Sequence, residues 1–258
     1  MTLIKVPRDI VSEWNKNGFL IFRNVFSIED MQRAAADSDR VYEEHKNLIS
    51  TQNIRCRWQD NVFTGECQFD AFDPIIDLSD VIKKLAYDQR LIELLEAIYE
   101  ESAFLFKDKL IYKFPGAKGY GLHQDWIAWE RFPRSFLSVL VPLDVSDKDN
   151  GCTVVYPGYH HQGPLTPPDG TYRELCSSLV NEGKAVYLEL NPGDIAVFGG
   201  FVPHRSNPNL SNRPRRQIYF SYTKKSEGGD LREKHYEDFH AWLKVKYTEH
   251  GKSDTYFA

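Results

Sequence analysis

The strongest constraint in this chain is a change of texture at Ala103. From there to about Tyr222, short runs rich in Val, Ile, Phe and Tyr alternate with Gly, Pro, Asn and Asp, and they predict strands over 104–114, 136–143, 153–156, 185–190, 194–198, 201–205 and 216–223. They point to a double-stranded β-helix, the jelly roll of cupin-like proteins, whose antiparallel strands close into a cup that can hold a ligand at its mouth.

Upstream, the pattern is helical. Asp9 to Lys16 is a short amphipathic stretch stopped by Asn17-Gly18, Phe19 to Phe22 reads as a strand, and Ser27 with Asp30 forms a capping box. A long helix follows to about His45 on the loose apolar period of Met31, Ala34, Ala35, Val41 and Tyr42. Residues 46–78 read as an irregular loop carrying Trp58, Phe63, Phe69 and Phe72, and its length and aromatic content suggest an ordered lid. Helices fit 79–87 and 89–100, and a charged helix near 231–249 reads as a surface brace. The expected organisation is one mainly β domain with flanking helices over 1–258: a helical part over 1–102, the jelly-roll core over 103–224 and a helical end over 225–258.

Charge and composition narrow the partners. With 258 residues, 41% hydrophobic, and a net charge of −5, the chain can bury a sizeable core and offers no basic stripe for a nucleic-acid backbone. No apolar run reaches membrane-spanning length, and the opening residues MTLIKVPRDIVSEW do not form a secretion signal, so a cytoplasmic location and a small-molecule partner are expected. Cys56, Cys67, Cys152 and Cys176 form no CxxC pair and read as reduced thiols.

The chemistry centres on Leu122-His123-Gln124-Asp125-Trp126. On a strand, His123 and Asp125 point to the same face and can grip one metal ion. His204 lies far downstream on another predicted strand, after the turn Asn191-Pro192-Gly193-Asp194. Two imidazoles and one carboxylate make the facial triad of non-heme Fe(II), with coordination positions left open. Eleven residues beyond His204, Arg215 can hold the far carboxylate of a dicarboxylate cosubstrate through a paired, charge-assisted contact.

These residues sit within blocks that resemble the phytanoyl-CoA dioxygenase family of Fe(II)/2-oxoglutarate oxygenases. The blocks are Lys113-Phe114-Pro115-Gly116, Leu122 to Asp125, Asp149-Asn150-Gly151-Cys152 leading to Tyr156-Pro157-Gly158-Tyr159-His160, Pro192-Gly193-Asp194, and His204-Arg205-Ser206 through Arg213-Pro214-Arg215-Arg216. The resemblance implies that His123, Asp125 and His204 bind iron and that Arg215, helped by Ser206, binds the C5 carboxylate of 2-oxoglutarate. It also places Lys109 where the family touches that cosubstrate. The implied reaction consumes O2, releases succinate and CO2, and hydroxylates an unactivated carbon of a small polar metabolite, with natural-product tailoring and phosphonate catabolism both compatible. Ring closure or desaturation by the same chemistry remains an alternative, and a catalytically silent cupin-like binding protein is the alternative of another class.

One departure is Arg205, where family members often carry Gly after the second histidine; its side chain either faces the metal or turns outward by strand alternation. Substrate contacts are expected from Trp126, Trp129, Tyr120 and Arg205, with Lys107, Arg131 and Arg134 as further cations near the mouth. His160 is a lesser candidate for substrate contact, and Tyr156, Phe198 and Phe220 read as core.

Overall fold

The computed structural model describes residues 6–129, 132–167, 169, 173–249 and 255–258. The N-terminal elements are α1 (Ile10–Asn17), β1 (Phe19–Phe22) and α2 (Ile28–Glu44). Gly18 closes α1 in a left-handed conformation, and α2 opens on the capping box, with Ser27 and Asp30 satisfying each other's backbone N–H. Then come β2 (Cys56–Asp60), β3 (Cys67–Phe72), α3 (Asp80–Ala86), α4 (Gln89–Tyr99), β4 (Ala103–Lys113), β5 (Tyr120–His123), β6 (Leu137–Pro142) and β7 (Thr153–Val155). The chain continues through β8 (Val186–Tyr187), β9 (Ile195–Gly199), β10 (His204–Ser206), β11 (Arg215–Lys224) and α5 (Arg232–Glu249).

Among the described residues the strands form two sheets, seven in the order β1-β9-β6-β11-β4-β3-β2 and four in the order β5-β10-β7-β8, with every strand pairing antiparallel. This is the jelly-roll core. Alternation along β11 shows how it divides its work. Ile218, Phe220 and Tyr222 enter the core beneath α2, α3 and α4, joined there by Met31, Ile82, Leu91 and Leu95. Arg215, Gln217, Tyr219 and Ser221 take the opposite face, and the contact of the Tyr219 hydroxyl with Thr153 Oγ1 on β7, at 3.0 Å, shows that this face looks into the space between the sheets.

Two expectations need correction. Residues 46–78 are not an irregular loop: β2 and β3 pair as a hairpin, and Ala71 and Phe72 of β3 pair with Ile111 and Leu110 of β4, extending the large sheet. A register shift between Arg57 and Trp58 breaks the alternation that would have revealed the strand. The C-terminal helix is more than a brace. Its Tyr236 and His235 are buried, and Phe239 and Trp242 pack on Trp129. The outlying tail returns to the 52–55 segment, where Ile54 N donates to Tyr256 O at 2.7 Å.

Candidate active site

The β5–β10 register sets His123 directly opposite His204. β5 approaches this closely because Gly119, at φ +84°, has no Cβ; one would run into the backbone carbonyl of Ser206. The two imidazole centroids lie 4.2 Å apart. Asp125, just past the end of β5, brings Oδ1 to 3.7 Å from His123 Nε2 and 3.6 Å from His204 Nε2. Ligand atoms of the three lie within 4.8 Å of one another, the one such metal-capable group among the described residues.

Each donor is aimed by a neighbour. His123 Nδ1 donates to the Gly121 carbonyl at 2.7 Å and His204 Nδ1 to the Val202 carbonyl at 3.0 Å, which leaves Nε2 of each ring as the lone-pair nitrogen. Ser138 Oγ donates to Asp125 Oδ2 at 2.8 Å, so Oδ1 is the oxygen turned toward the imidazoles. Burial by itself would raise the Asp125 carboxyl, but the His204 and His123 rings outweigh it and hold the group well below the usual carboxylate range. Burial, reinforced by His123, pushes His204 down to about 4. An ionised carboxylate beside a neutral imidazole is the protonation state that a divalent cation requires.

One step further along the sheets lies a buried cationic pair. Arg215 and Lys113 are cross-strand partners on β11 and β4, each 1% exposed. Lys113 Nζ donates to Gly151 O at 2.9 Å, to Ser206 Oγ at 3.1 Å, and to Asn207 O. Gly151, at φ +70°, admits this lysine, since a Cβ there would meet Lys113 Nζ and the Asn207 carbonyl. Burial, with Arg215 beside it, lowers the Lys113 ammonium well below its ordinary value. Arg215 Nη1 donates to Gln217 Oε1, Arg215 Nε and Gln217 Nε2 are buried without partners, and no carboxylate among the described residues pairs with the guanidinium. A buried guanidinium lacking a counter-ion is costly, and an anion placed beside it would relieve that cost.

The other expected residues fall in several places. Ser206 is at the Arg215 end, bonded to Lys113 and to the backbone N–H of Tyr120 at 3.1 Å. Lys109 lies half-buried over the Tyr219 ring, 4.9 Å from its centroid, and its charge is felt by both Asp125 and His204. The Tyr120 hydroxyl donates to Asp70 Oδ2, with its ring 6.4 Å from that of His123. Trp126 packs on Phe201 beneath the guanidinium of Arg134 and buries its Nε1 without a partner. Trp129 joins Phe132, Phe239 and Trp242 in an aromatic cluster. Strand alternation turns Arg205 away from His204: it bonds Tyr156 OH at 2.8 Å, Asn207 Oδ1 and Glu182. His160 bonds the Asn15 carbonyl at 3.0 Å, and its ring centroid lies 4.0 Å from that of His161. Tyr156, Phe198 and Phe220 are fully buried. Arg131 lies outside the described residues.

Sequence reasoning missed Ser138, Lys113 in its contact role, Asp70, and the group formed by Arg57, Asp73 and Lys107. A lone serine within the apolar run Phe136-Leu137-Ser138-Val139-Leu140 was the one available signal for the first.

Comparison with known proteins agrees with this geometry. The phytanoyl-CoA dioxygenase (PhyH) family model matches residues 14–217, so the chain belongs to that family and is an enzyme of its dioxygenase class. Among characterised relatives, 2-aminoethylphosphonate dioxygenase of an uncultured bacterium (HF130_AEPn_1) is 28% identical over 223 residues, covering 84% of this chain and 81% of that one. Methylphosphonate hydroxylase of Gimesia maris is 35% identical over 159 residues, covering 61% of this chain and 59% of that protein. Among solved structures, EctD from S. alaskensis with 2-oxoglutarate and 5-hydroxyectoine superposes with a TM-score of 0.67 at 18% identity, over 86% of this chain and 77% of that one, and shares the fold.

Proposed function

We propose that the protein is an Fe(II)- and 2-oxoglutarate-dependent dioxygenase that hydroxylates a C–H bond of a small polar metabolite of the phosphonate type. The observation that carries this reading is the pairing of two sites in one cleft: three aimed donors, two nitrogen and one oxygen, and beside them a buried arginine with no carboxylate of its own. The donor set suits ferrous iron, with His123 Nε2, His204 Nε2 and Asp125 Oδ1 as its ligands. Arg215 would hold the distal carboxylate of 2-oxoglutarate, supported by Ser206 through Lys113, and Lys109 would face the end nearer the metal. The relatives acting on phosphonates, by their names, support the substrate class.

When bound, iron and 2-oxoglutarate supply the oxidant, O2 being consumed as the keto acid is decarboxylated to succinate and CO2. The protein's own residues prepare that chemistry. Gly121 and Val202 carbonyls fix the tautomer and orientation of both imidazoles, so that Nε2 of each ring faces inward, and Ser138 fixes which Asp125 oxygen does. Phe198, its ring 4.5 Å from that of His204 and tilted 50° to it, would cover that side of the centre.

Anaerobic addition of Fe(II) and 2-oxoglutarate tests the reading. A weak visible charge-transfer band, absent in His204→Ala, is expected; its absence from the native protein would sink it. Succinate release stimulated by phosphonates over matched amines and amides then tests the substrate class.

A further inference from the structure

The inner face of β4 carries three lysines in a row: Lys113 opposite Arg215, Lys109 opposite Tyr219, and Lys107 opposite Ser221. Alternate residues on a strand are about 6.7 Å apart, so Lys107 stands roughly one such step beyond Lys109 on the side away from Arg215. The Lys113 end is the proposed cosubstrate site, and Lys109 is the lysine whose charge reaches Asp125 and His204. Lys107 therefore marks the next station along the cleft.

That station is electrostatically unbalanced. Lys107 Nζ and Arg57 Nη2 both reach Asp73 Oδ2, each at 3.1 Å, and Asp73 Oδ1 takes the Tyr236 hydroxyl at 3.1 Å. Among the described residues no other carboxylate pairs with either cation. Burial lowers the Lys107 ammonium from its ordinary value while Asp73 opposes that shift, and three basic side chains, Lys107, Arg57 and Lys109, gather about this one carboxylate. The histidines packed against the group, His235 and His240, are pushed by burial down to about 3 and about 4, and their Nε2 atoms are buried without partners. Phe239 of α5 lies against both cations, 4.1 Å from Lys107 Nζ and 5.2 Å from the Arg57 guanidinium carbon. Both side chains keep 19% of their surface exposed, whereas Asp73 keeps 3%. A ligand meets the cations and not their counter-ion.

We propose that Lys107 and Arg57, with Phe239 as roof, bind the anionic head group of the primary substrate, a short phosphonate or carboxylate; this rests on the dioxygenase reading above and adds the residues that select the substrate. The spacing limits length. With the head group on Lys107, the carbon presented to the metal centre lies within a few bonds of it, because the station is one strand step from the lysine whose charge reaches Asp125 and His204. An ammonium finds no counter-ion there, since both oxygens of Asp73 are already engaged.

Calorimetric titration supplies the test, first of Mn(II)-loaded protein with 2-oxoglutarate, then of metal-free and Mn(II)/2-oxoglutarate-loaded protein with methylphosphonate, propionate and ethylammonium. The expected result is binding of one or both anions and none of ethylammonium. Lys107→Gln should bind the anion about tenfold or more weakly, and Lys107→Arg should restore most of the loss. Ser221→Asp, which sets a carboxylate opposite Lys107, should abolish anion binding and serves if Lys107→Gln fails to fold. The tighter anion identifies the head group. Equal anion binding by the native protein and Lys107→Gln, no anion binding by the native protein, or preference for ethylammonium overturns the proposal. Failure of 2-oxoglutarate to bind while the anion still depends on Lys107 overturns the cofactor reading alone.

Discussion

Ser138 and Asp125 join the two sheets at the metal-capable centre: the hydroxyl of a residue on β6, in the large sheet, donates at 2.8 Å to the carboxylate that follows β5, in the small one. The carboxylate is thereby aimed by a partner that is not itself a ligand. Residues in this position typically affect metal affinity ten- to a hundredfold, roughly. Ser138→Ala is expected to weaken Fe(II) or Mn(II) binding by about tenfold or more while the protein melts within a few degrees of the native temperature. Competition against a metal chelator measures it, and unchanged affinity would show that Asp125 needs no such support.

Arg215 offers a test with two opposite signs. Without its anion it is a buried guanidinium lacking a counter-ion, a burden of several kcal/mol by general estimates. Arg215→Met should therefore melt no lower than the native protein when no ligand is present, yet raise the KM for 2-oxoglutarate on the order of a hundredfold. Arg215→Lys should rescue little of that loss, because an ammonium cannot make the paired contact. Loss of stability with KM unchanged would assign Arg215 to the scaffold.

The Asp70 carboxyl is raised above its ordinary value by burial, which the Tyr120 and Gln59 side chains and the Lys113 charge only partly offset. A carboxyl raised in the folded state contributes its full stability below its unfolded pKa of about 4, and the contribution is lost as pH rises through the folded value. Asp70→Asn keeps the shape without the charge. Its melting temperature relative to the native protein should improve as pH is raised from about 4 and then level off. A difference that stays flat with pH would show that Asp70 is ionised throughout.

For His235 the sign reverses. Burial, followed by Lys107, pushes it down to about 3 from the ordinary 6.5. Its contribution is present above 6.5 and is lost as pH falls toward 3. His235→Phe, which keeps the stack on Phe239, should lose less stability than the native protein over that interval, by on the order of 1.4 kcal/mol for each pKa unit removed. Denaturant melts at a series of pH values decide it. Identical acid sensitivity would place the titrating group elsewhere.

The elements legible in the sequence were those whose signal is local. Ser27 and Asp30 announced α2, Gly18 ended α1, and the apolar runs of β6 and β9 stood out because both faces of those strands are covered. The triad was legible through spacing and flanking blocks. What stayed hidden depends on contacts distant in the chain. β2 and β3 carry Arg57, which pairs with Asp73, and Asp70, which accepts from Tyr120, and the shift at Arg57 and Trp58 disrupts the two-residue period, so the hairpin reads as an irregular aromatic loop. The direction of Arg205 likewise followed from the register of β10, which placed Tyr156 and Glu182 within its reach. No local pattern shows that Phe239, well over a hundred residues from Lys107, lies against it.

The alternation of β4 makes that strand a ruler laid along the cleft. Its divisions are fixed by backbone pairing with β11, while what is written at each division is a single side chain. A change at position 107 can thus redefine which molecules are admitted without moving the marks at 109 or 113, whereas inserting one residue in the strand would invert the side chains on one side of the insertion, sending cations into the greasy core and core side chains into the cleft. Selection can revise such a scale one mark at a time, and never by sliding it.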